Sequence, residues 1–127
     1  NMTQLREIYK CVVCDNVVEV LQSGVGTLVC CEEDMEKLEA KTEDEGLEKH
    51  VPVIEETAAG ILAKVGDVPH PMEDNHYIKL IEVLTEDKVL KAELEPGQKP
   101  EAEFNVDRKD VVSVREFCTV HDLWKTE

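Results

Sequence analysis

Four cysteines in the first third of the chain constrain its folding more than any other feature. Cys11 and Cys14 form a Cys-x-x-Cys pair, Cys30 and Cys31 are adjacent, and Cys118 lies near the other end. Residues 1–10 show no apolar stretch typical of a signal peptide, so we expect a cytoplasmic protein. Because cytoplasmic reductants keep thiols reduced, an odd number of cysteines argues against a disulfide framework. Metal binding or redox chemistry is therefore the leading interpretation.

The spacing of the first four cysteines suits a single metal ion. A Cys-x-x-Cys pair lets two thiolates reach one ion from a tight turn, and Gly24 and Gly26 suit a hairpin that returns the chain to it. Cys30 and Cys31 depart from this pattern, because adjacent side chains in extended backbone point to opposite faces. Both can bind the same ion only if the backbone bends. Four thiolates suit both zinc and iron, so the spacing alone leaves the metal open.

Acidic side chains predominate along the chain. The 127 residues include 14 Lys and Arg against 29 Asp and Glu, for a formal net charge of -15. Such a charge repels nucleic acids and anionic membranes, and no apolar run approaches the roughly 18 residues that a membrane span needs. We therefore expect neither nucleic acid nor a membrane as a partner.

The four histidines all lie in distinctive settings. His50 lies in the segment "EKHVP", His70 precedes a proline that stiffens its loop, and His76 opens an alternating segment. His121 follows Cys118 by three residues, so one short loop can present an imidazole and a thiolate to the same ion. Four imidazoles and one thiolate could therefore form a second metal site.

Taken together, these motifs resemble those of the two-iron desulfoferrodoxins, which are superoxide reductases with an N-terminal desulforedoxin-like domain. The resemblance covers almost the whole chain. It rests on Cys11-x-x-Cys14 with Cys30-Cys31, on "EKHVP" at residues 48–52, on "HPM" followed by His76-Tyr77, and on Cys118-x-x-His121 with Trp124 close behind. Asp15 is a departure, because family members commonly have Gly after the second cysteine.

The resemblance implies two iron ions per chain and assigns a ligand set to each. The first iron would be held by the four-cysteine set Cys11, Cys14, Cys30 and Cys31. The second would be held by four histidines in a plane and an axial cysteine, with the sixth position open: His50, His70, His76, His121 and Cys118. Lys49 would guide superoxide and orient a proton-donating water, and Glu48 would occupy the sixth position of the ferric ion after the product leaves.

The implied reaction is the one-electron reduction of superoxide to hydrogen peroxide, without formation of dioxygen. It requires an external electron donor, for which the family uses rubredoxin or a similar small carrier. We expect a homodimer in which the first iron has a structural, dimer-forming role with optional electron transfer. The alternative is an iron-binding electron carrier without superoxide chemistry.

The remaining sequence predicts a mainly β protein built from two modules. Residues 1–38 would form the small desulforedoxin-like iron module, 39–48 an acidic linker, and 49–127 the superoxide reductase domain. After His50, turn signals separate six short runs that predict strands: "VPVIEE", "GILAKV", "HYIKLIEVL", "VLKAELE", "EAEFNV" and "VVSVREF". Evenly spaced strands favour a sandwich, and the resemblance implies an immunoglobulin-like β-sandwich.

Overall fold

Two compact units make up the chain, which divides after Glu39. The computed structural model describes residues 2–44, 49–66 and 70–126. Within these ranges the helical structure is a single 3-10 turn, Arg108–Asp110, and no helix is long and apolar enough to cross a membrane.

Short strands joined by turns form the first unit. One sheet has the strand order β2-β1-β5, and β3 pairs with β4 in a second, two-stranded sheet. The strands are β1 (Ile8–Lys10), β2 (Val17–Glu19), β3 (Val29–Cys30), β4 (Glu33–Asp34) and β5 (Glu36–Lys37). The described residues of the first unit include few buried apolar side chains: Ile8, Cys11, Val20 and Leu38. So small a core contributes little to the stability of the unit, which therefore depends on another source of free energy.

Seven strands of the second unit form two antiparallel sheets. The strands are β6 (Pro52–Thr57), β7 (Gly60–Val65), β8 (Ile78–Leu84), β9 (Val89–Glu93), β10 (Glu101–Phe104), β11 (Ser113–Cys118) and β12 (Asp122–Lys125). One sheet has the order β10-β7-β6 and the other the order β12-β11-β8-β9. This arrangement confirms the predicted fold class, a mainly β chain that ends in an immunoglobulin-like β-sandwich.

The apolar core of the sandwich extends to the fifth cysteine. Alternate residues of β7 are buried, as expected for a strand with one face toward a core, whereas β8 buries three consecutive residues, 81–83. The buried cluster consists of Ile61, Ala63, Val65, Ile78, Ile81, Val83, Leu94, Phe104, Val114 and Cys118. Cys118 therefore lies at the end of β11 as part of a rigid, close-packed region rather than on a loose loop.

Each of the six predicted runs overlaps one observed strand, from β6 to β11 in chain order, so those strand predictions are confirmed. Strand β12 was not predicted, because its buried residues Leu123 and Trp124 are consecutive and give no period-two alternation. Lys41, which falls in the predicted acidic linker, pairs in parallel with Trp124 of this strand. Residues 45–48 of that linker lie outside the described residues.

Candidate metal centres

Segments from both sheets bring five ligand side chains to one end of the sandwich. β6 begins where β7 ends, with Pro52 opposite Val65, so the chain entering β6 and the chain leaving β7 lie close together. β8 likewise begins where β11 ends, with Ile78 opposite Cys118. The residues gathered there are His50, His70, His76, Cys118 and His121, whose donor atoms all lie within 4.8 Å of one another.

The four imidazole rings form a closed square. Successive ring centroids are 4.5 Å apart for His50 and His70, 4.9 Å for His70 and His76, 5.1 Å for His76 and His121, and 4.8 Å for His121 and His50. Neighbouring rings are inclined by 64° to 85°. His50 is thus opposite His76, and His70 is opposite His121.

Cys118 lies close to two opposite corners of this square. Its Sγ is 3.7 Å from Nε2 of His70 and 3.9 Å from Nδ1 of His121. The sulfur of Cys118 is thus nearly equidistant from two opposite ligands, as expected for an atom on the axis of the square. The five donors therefore have the arrangement of a square pyramid.

The distances between ring nitrogens suit one transition-metal ion. Ligands bonded at about 2.1 Å and about 90° apart lie about 3.0 Å from each other. Nε2 of His50 is 2.9 Å from Nε2 of His70 and 3.2 Å from Nδ1 of His121. The Nδ1 of His70 lies 2.7 Å from the carbonyl oxygen of Pro71, to which it donates in the tautomer that leaves Nε2 free to bind an ion.

The four cysteines of the first unit also converge on one point. Sγ of Cys14 is 3.6 Å from Sγ of Cys30, which is 4.0 Å from Sγ of Cys31. Sulfurs bonded to one ion at about 2.3 Å in a tetrahedron lie about 3.8 Å apart. Cys11 is buried, whereas Cys14 and Cys31 are exposed, so the edge of this site reaches the surface.

A sharp bend explains how adjacent cysteines can share an ion. Cys31 has φ of 53° and Glu32 has φ of 63°, both in the left-handed region. The backbone therefore leaves the extended conformation at Cys31, as the sequence analysis required for both sulfurs to reach one ion. Asp15, at the position where the family commonly has Gly, also has a positive φ, of 67°. Asp tolerates this conformation better than most residues, although less well than Gly.

The sulfurs of the first unit influence one another's ionisation. The pKa of Cys11 is lowered to about 7, because its sulfur accepts hydrogen bonds from the backbone N–H groups of Cys14 and Val13. The pKa of Cys31 is raised to about 12 by its interactions with the neighbouring sulfurs of Cys14, Cys11 and Cys30. Four thiolates this close repel one another, and a bound cation removes that repulsion.

Of the two predicted catalytic residues, Glu48 and Lys49, only Lys49 is among the residues that the structure describes. Lys49 is half-buried directly before His50, whereas Glu48 lies outside the described residues. The backbone of Lys49 packs closely against Gly66, which has φ of 100°, and a Cβ at this glycine would lie only 2.8 Å from the carbonyl oxygen of Lys49. Glycine at position 66 is therefore needed for the close approach of the two segments.

Three residues near the second site were not assigned a role from the sequence. Asp44 accepts hydrogen bonds from the backbone N–H groups of His50 and Val51, at 2.6 and 2.8 Å. Trp124 stacks on the ring of His50. Glu116 is fully buried, neither of its carboxylate oxygens has a hydrogen-bond partner among the described residues, and burial, with Asp44 nearby, raises its pKa. Sequence signals existed for two of the three: Glu116 shares the inward face of β11 with Val114 and Cys118, and Trp124 belongs to the motif that carries the family resemblance.

Comparison with known proteins gives matches along nearly the whole chain. Residues 3–38 match the family described as "Desulfoferrodoxin, N-terminal domain", and residues 42–127 match the family described as "Desulfoferrodoxin". A desulfoferrodoxin homolog of Methanothermobacter thermautotrophicus is 54% identical over 123 residues, which cover 97% of this chain and 99% of that protein. The two ligand groups match the pattern of two iron ions per chain, one bound by four cysteines and one by four histidines and a cysteine.

Two further matches carry the name superoxide reductase. The crystal structure of the enzyme from Treponema pallidum is 26% identical, covers 95% of this chain and 97% of its own, and superposes with a TM-score of 0.78. The protein of that name from Pyrococcus horikoshii is 32% identical over 98 residues, which cover 63% of this chain and 85% of the relative. These neighbours and the two metal groups together support an oxidoreductase activity.

Proposed function

Since the chain belongs to the desulfoferrodoxin family, we propose that it is a superoxide reductase. The observation that carries this proposal is the square of four imidazoles with the Cys118 thiolate close to its axis. These side chains would supply five donor atoms to one iron ion, which would leave a place for a small anion to bind. Superoxide takes up one electron and two protons to give hydrogen peroxide, and a ferrous ion held by His50, His70, His76, His121 and Cys118 would supply that electron.

The ligands of the second site favour the approach of an anion. Four neutral imidazoles and one thiolate cancel only one of the two positive charges of a ferrous ion, so the site retains a formal charge of about +1. The Cys118 thiolate also donates electron density, as thiolates do at haem iron. Cys118 is buried in the apolar core, which excludes water from around its sulfur. The negative charge of the thiolate therefore acts on the metal site through a lower effective dielectric.

Lys49 is proposed to guide superoxide and to orient a proton-donating water. Its backbone is held close to the site because it immediately precedes His50, whose N–H is bound by Asp44. The proposed role of Glu48, to occupy the sixth position after hydrogen peroxide leaves, concerns a residue outside the described ranges.

Replacing Lys49 by Ala should lower the second-order rate with superoxide about tenfold. Removing a unit charge about 6 Å from the ion, in a dielectric between those of water and protein, costs on the order of 1–2 kcal/mol. Salt at physiological strength screens the overall negative field beyond about 8 Å, so this local charge should dominate the last part of the approach. We expect the wild-type rate to fall with added salt, and to fall less in the variant.

The matched control is Lys88→Ala, which removes the same charge at the far end of β8, roughly 20 Å along the strand from the site. This control should keep the wild-type rate, and Lys49→Arg should retain most of it. A Lys49→Ala rate equal to wild type, or a wild-type rate that rises with ionic strength, would show that Lys49 does not guide the substrate.

The first site is proposed to have a structural and dimer-forming role. Its unit exposes several apolar side chains that a second copy of the chain could cover: Val12, Val13, Leu21, Val25 and Val29. The exposed sulfurs of Cys14 and Cys31 also allow electron exchange at the surface. We propose that the chain consists of an iron module at 1–38, an acidic linker at 39–48 and a catalytic domain at 49–127. Its electron donor would be rubredoxin or a similar small carrier, and the reaction would take place in the cytoplasm.

Stopped-flow mixing of the reduced protein with superoxide tests the proposed reaction. We expect fast, second-order oxidation of the histidine-bound iron, one hydrogen peroxide per superoxide consumed and no dioxygen. The first site's absorption bands follow its own oxidation in the same experiment. An electron carrier without superoxide chemistry would show no such phase at the second site, and that result would refute the proposal.

A further inference from the structure

Trp124, the single tryptophan of the chain, contacts two neighbouring ligands of the second metal site. Its ring stacks on the imidazole of His50, with centroids 4.6 Å apart and an interplanar angle of 15°. Its Nε1–H donates a hydrogen bond of 2.9 Å to the carbonyl oxygen of His121. We propose that Trp124 is a positioning residue, which holds the ring of His50 and the turn of His121 in the orientation that binds the ion.

The backbone and the ring of His50 are held by different groups. Asp44 accepts hydrogen bonds from the N–H groups of His50 and Val51, and these bonds fix the main chain at this point. They leave the imidazole able to rotate about its side-chain torsions. The nearly parallel indole, itself only 2% exposed, restricts that rotation, because a tilted ring would lose the stacking contact.

The hydrogen bond to His121 acts on the main chain. His121 lies in the turn between β11 and β12, followed by Asp122 with φ of 66°. Trp124 lies three residues further on, so its Nε1–H closes this turn onto the strand that carries the indole. The backbone conformation of this turn sets the direction of the His121 imidazole, whose Nδ1 lies 3.2 Å from Nε2 of His50.

The position of Trp124 is itself fixed by contacts with Lys41. Lys41 pairs with it on β12, since the N–H of Lys41 donates to the carbonyl of Leu123 and the N–H of Lys125 donates to that of Lys41. The Nζ of Lys41 lies 4.8 Å from the centroid of the indole ring, within the range of a cation–π interaction. The indole is therefore held by backbone pairing and by a charge over its ring.

The influence of Trp124 should be confined to one edge of the histidine square. His50 and His121 are adjacent corners, whereas Nδ1 of His70 is bound to the carbonyl of Pro71. Losing the indole should therefore distort the square asymmetrically while Cys118 and the first site remain in place. Such a distortion changes both the rate of metal release and the symmetry of the ferric ion.

The test compares Trp124→Phe, Trp124→Leu and Lys41→Met in the iron-loaded protein. We would measure the release of iron from the second site to a chelator and the electron paramagnetic resonance spectrum of its ferric form. Trp124→Phe retains an aromatic ring but loses the donor, so release should accelerate a few-fold. Trp124→Leu loses both contacts and should accelerate release roughly 10- to 100-fold, the usual effect of losing such supporting groups. Lys41→Met, which keeps both contacts to the ligands, should change release less than twofold.

Neither measurement uses superoxide, so failure of this inference is distinguishable from failure of the proposed function. The first site's absorption bands in each variant report only whether the first unit is intact, so amide hydrogen exchange of β7, β8 and β11 is needed to show that the sandwich is still folded. Unchanged release and an unchanged ferric spectrum in both Trp124 variants would overturn the inference. If Trp124→Leu does not fold, Trp124→Phe alone decides: faster release with an altered ferric spectrum supports the inference, and wild-type behaviour overturns it.

Discussion

Replacing Cys118 by Ser should lower the second-order rate with superoxide on the order of 100-fold or more. Cys118 is fully buried, and its sulfur lies near the axis of the histidine square. A serine oxygen is a hard ligand that supplies far less electron density to iron than a thiolate does. We therefore also expect the thiolate-to-iron absorption of the second site to disappear from the spectrum of the oxidised protein.

The first site provides an internal control for this variant. Its four sulfurs belong to the other unit, so the absorption bands of the four-cysteine iron should keep their wild-type positions and intensities. Iron analysis must show that the second site of the variant is still filled, because an empty site would also abolish the reaction. A filled second site that reacts with superoxide at the wild-type rate would refute the proposed role of the thiolate.

The sandwich could be predicted because its strands have a strong physical signal. β7 alternates between buried and partly exposed residues along its whole length, as a strand with one face on a core must. β12 lacked that signal, since Leu123 and Trp124 are consecutive and both buried. Burial of consecutive residues requires neighbours on both sides of the strand, and those neighbours are distant in sequence.

The ligand sets could be predicted from residue type and family resemblance, but the groups that orient them could not. Asp44 binds the main chain of His50 six residues away, and the carboxylate comes from an acidic segment that otherwise suggests a solvated linker. Trp124 reaches His50 across 74 positions of sequence, a contact that no local pattern encodes. A bend in the backbone at Cys30 and Cys31 could be predicted, because both sulfurs must reach one ion. Its left-handed conformation at Cys31 could not, because the sequence has no glycine there to indicate a positive φ.

Removing the first metal should unfold the first unit and leave the second unit folded. Cys11→Ser is the sharpest variant, because Cys11 is buried and its sulfur accepts two backbone N–H groups of the Cys-x-x-Cys turn. A structural site of four thiolates contributes on the order of 10 kcal/mol to folding, comparable with the whole stability of a small domain. The few buried apolar side chains of this unit cannot replace that contribution, whereas the sandwich has a core of its own.

Amide hydrogen exchange and the two sets of absorption bands would separate the behaviour of the two units. In Cys11→Ser, amides of residues 2–39 should lose protection, while the bands of the histidine-bound iron and the protection of β7, β8 and β11 should persist. Cys118→Ser is the converse control, in which the first unit should stay protected. If the exposed valines and leucine of the first unit form the dimer interface, sedimentation should show that Cys11→Ser is monomeric and that Cys118→Ser remains dimeric. Native protection of the first unit in metal-free Cys11→Ser would show instead that its short strands are stable without the ion.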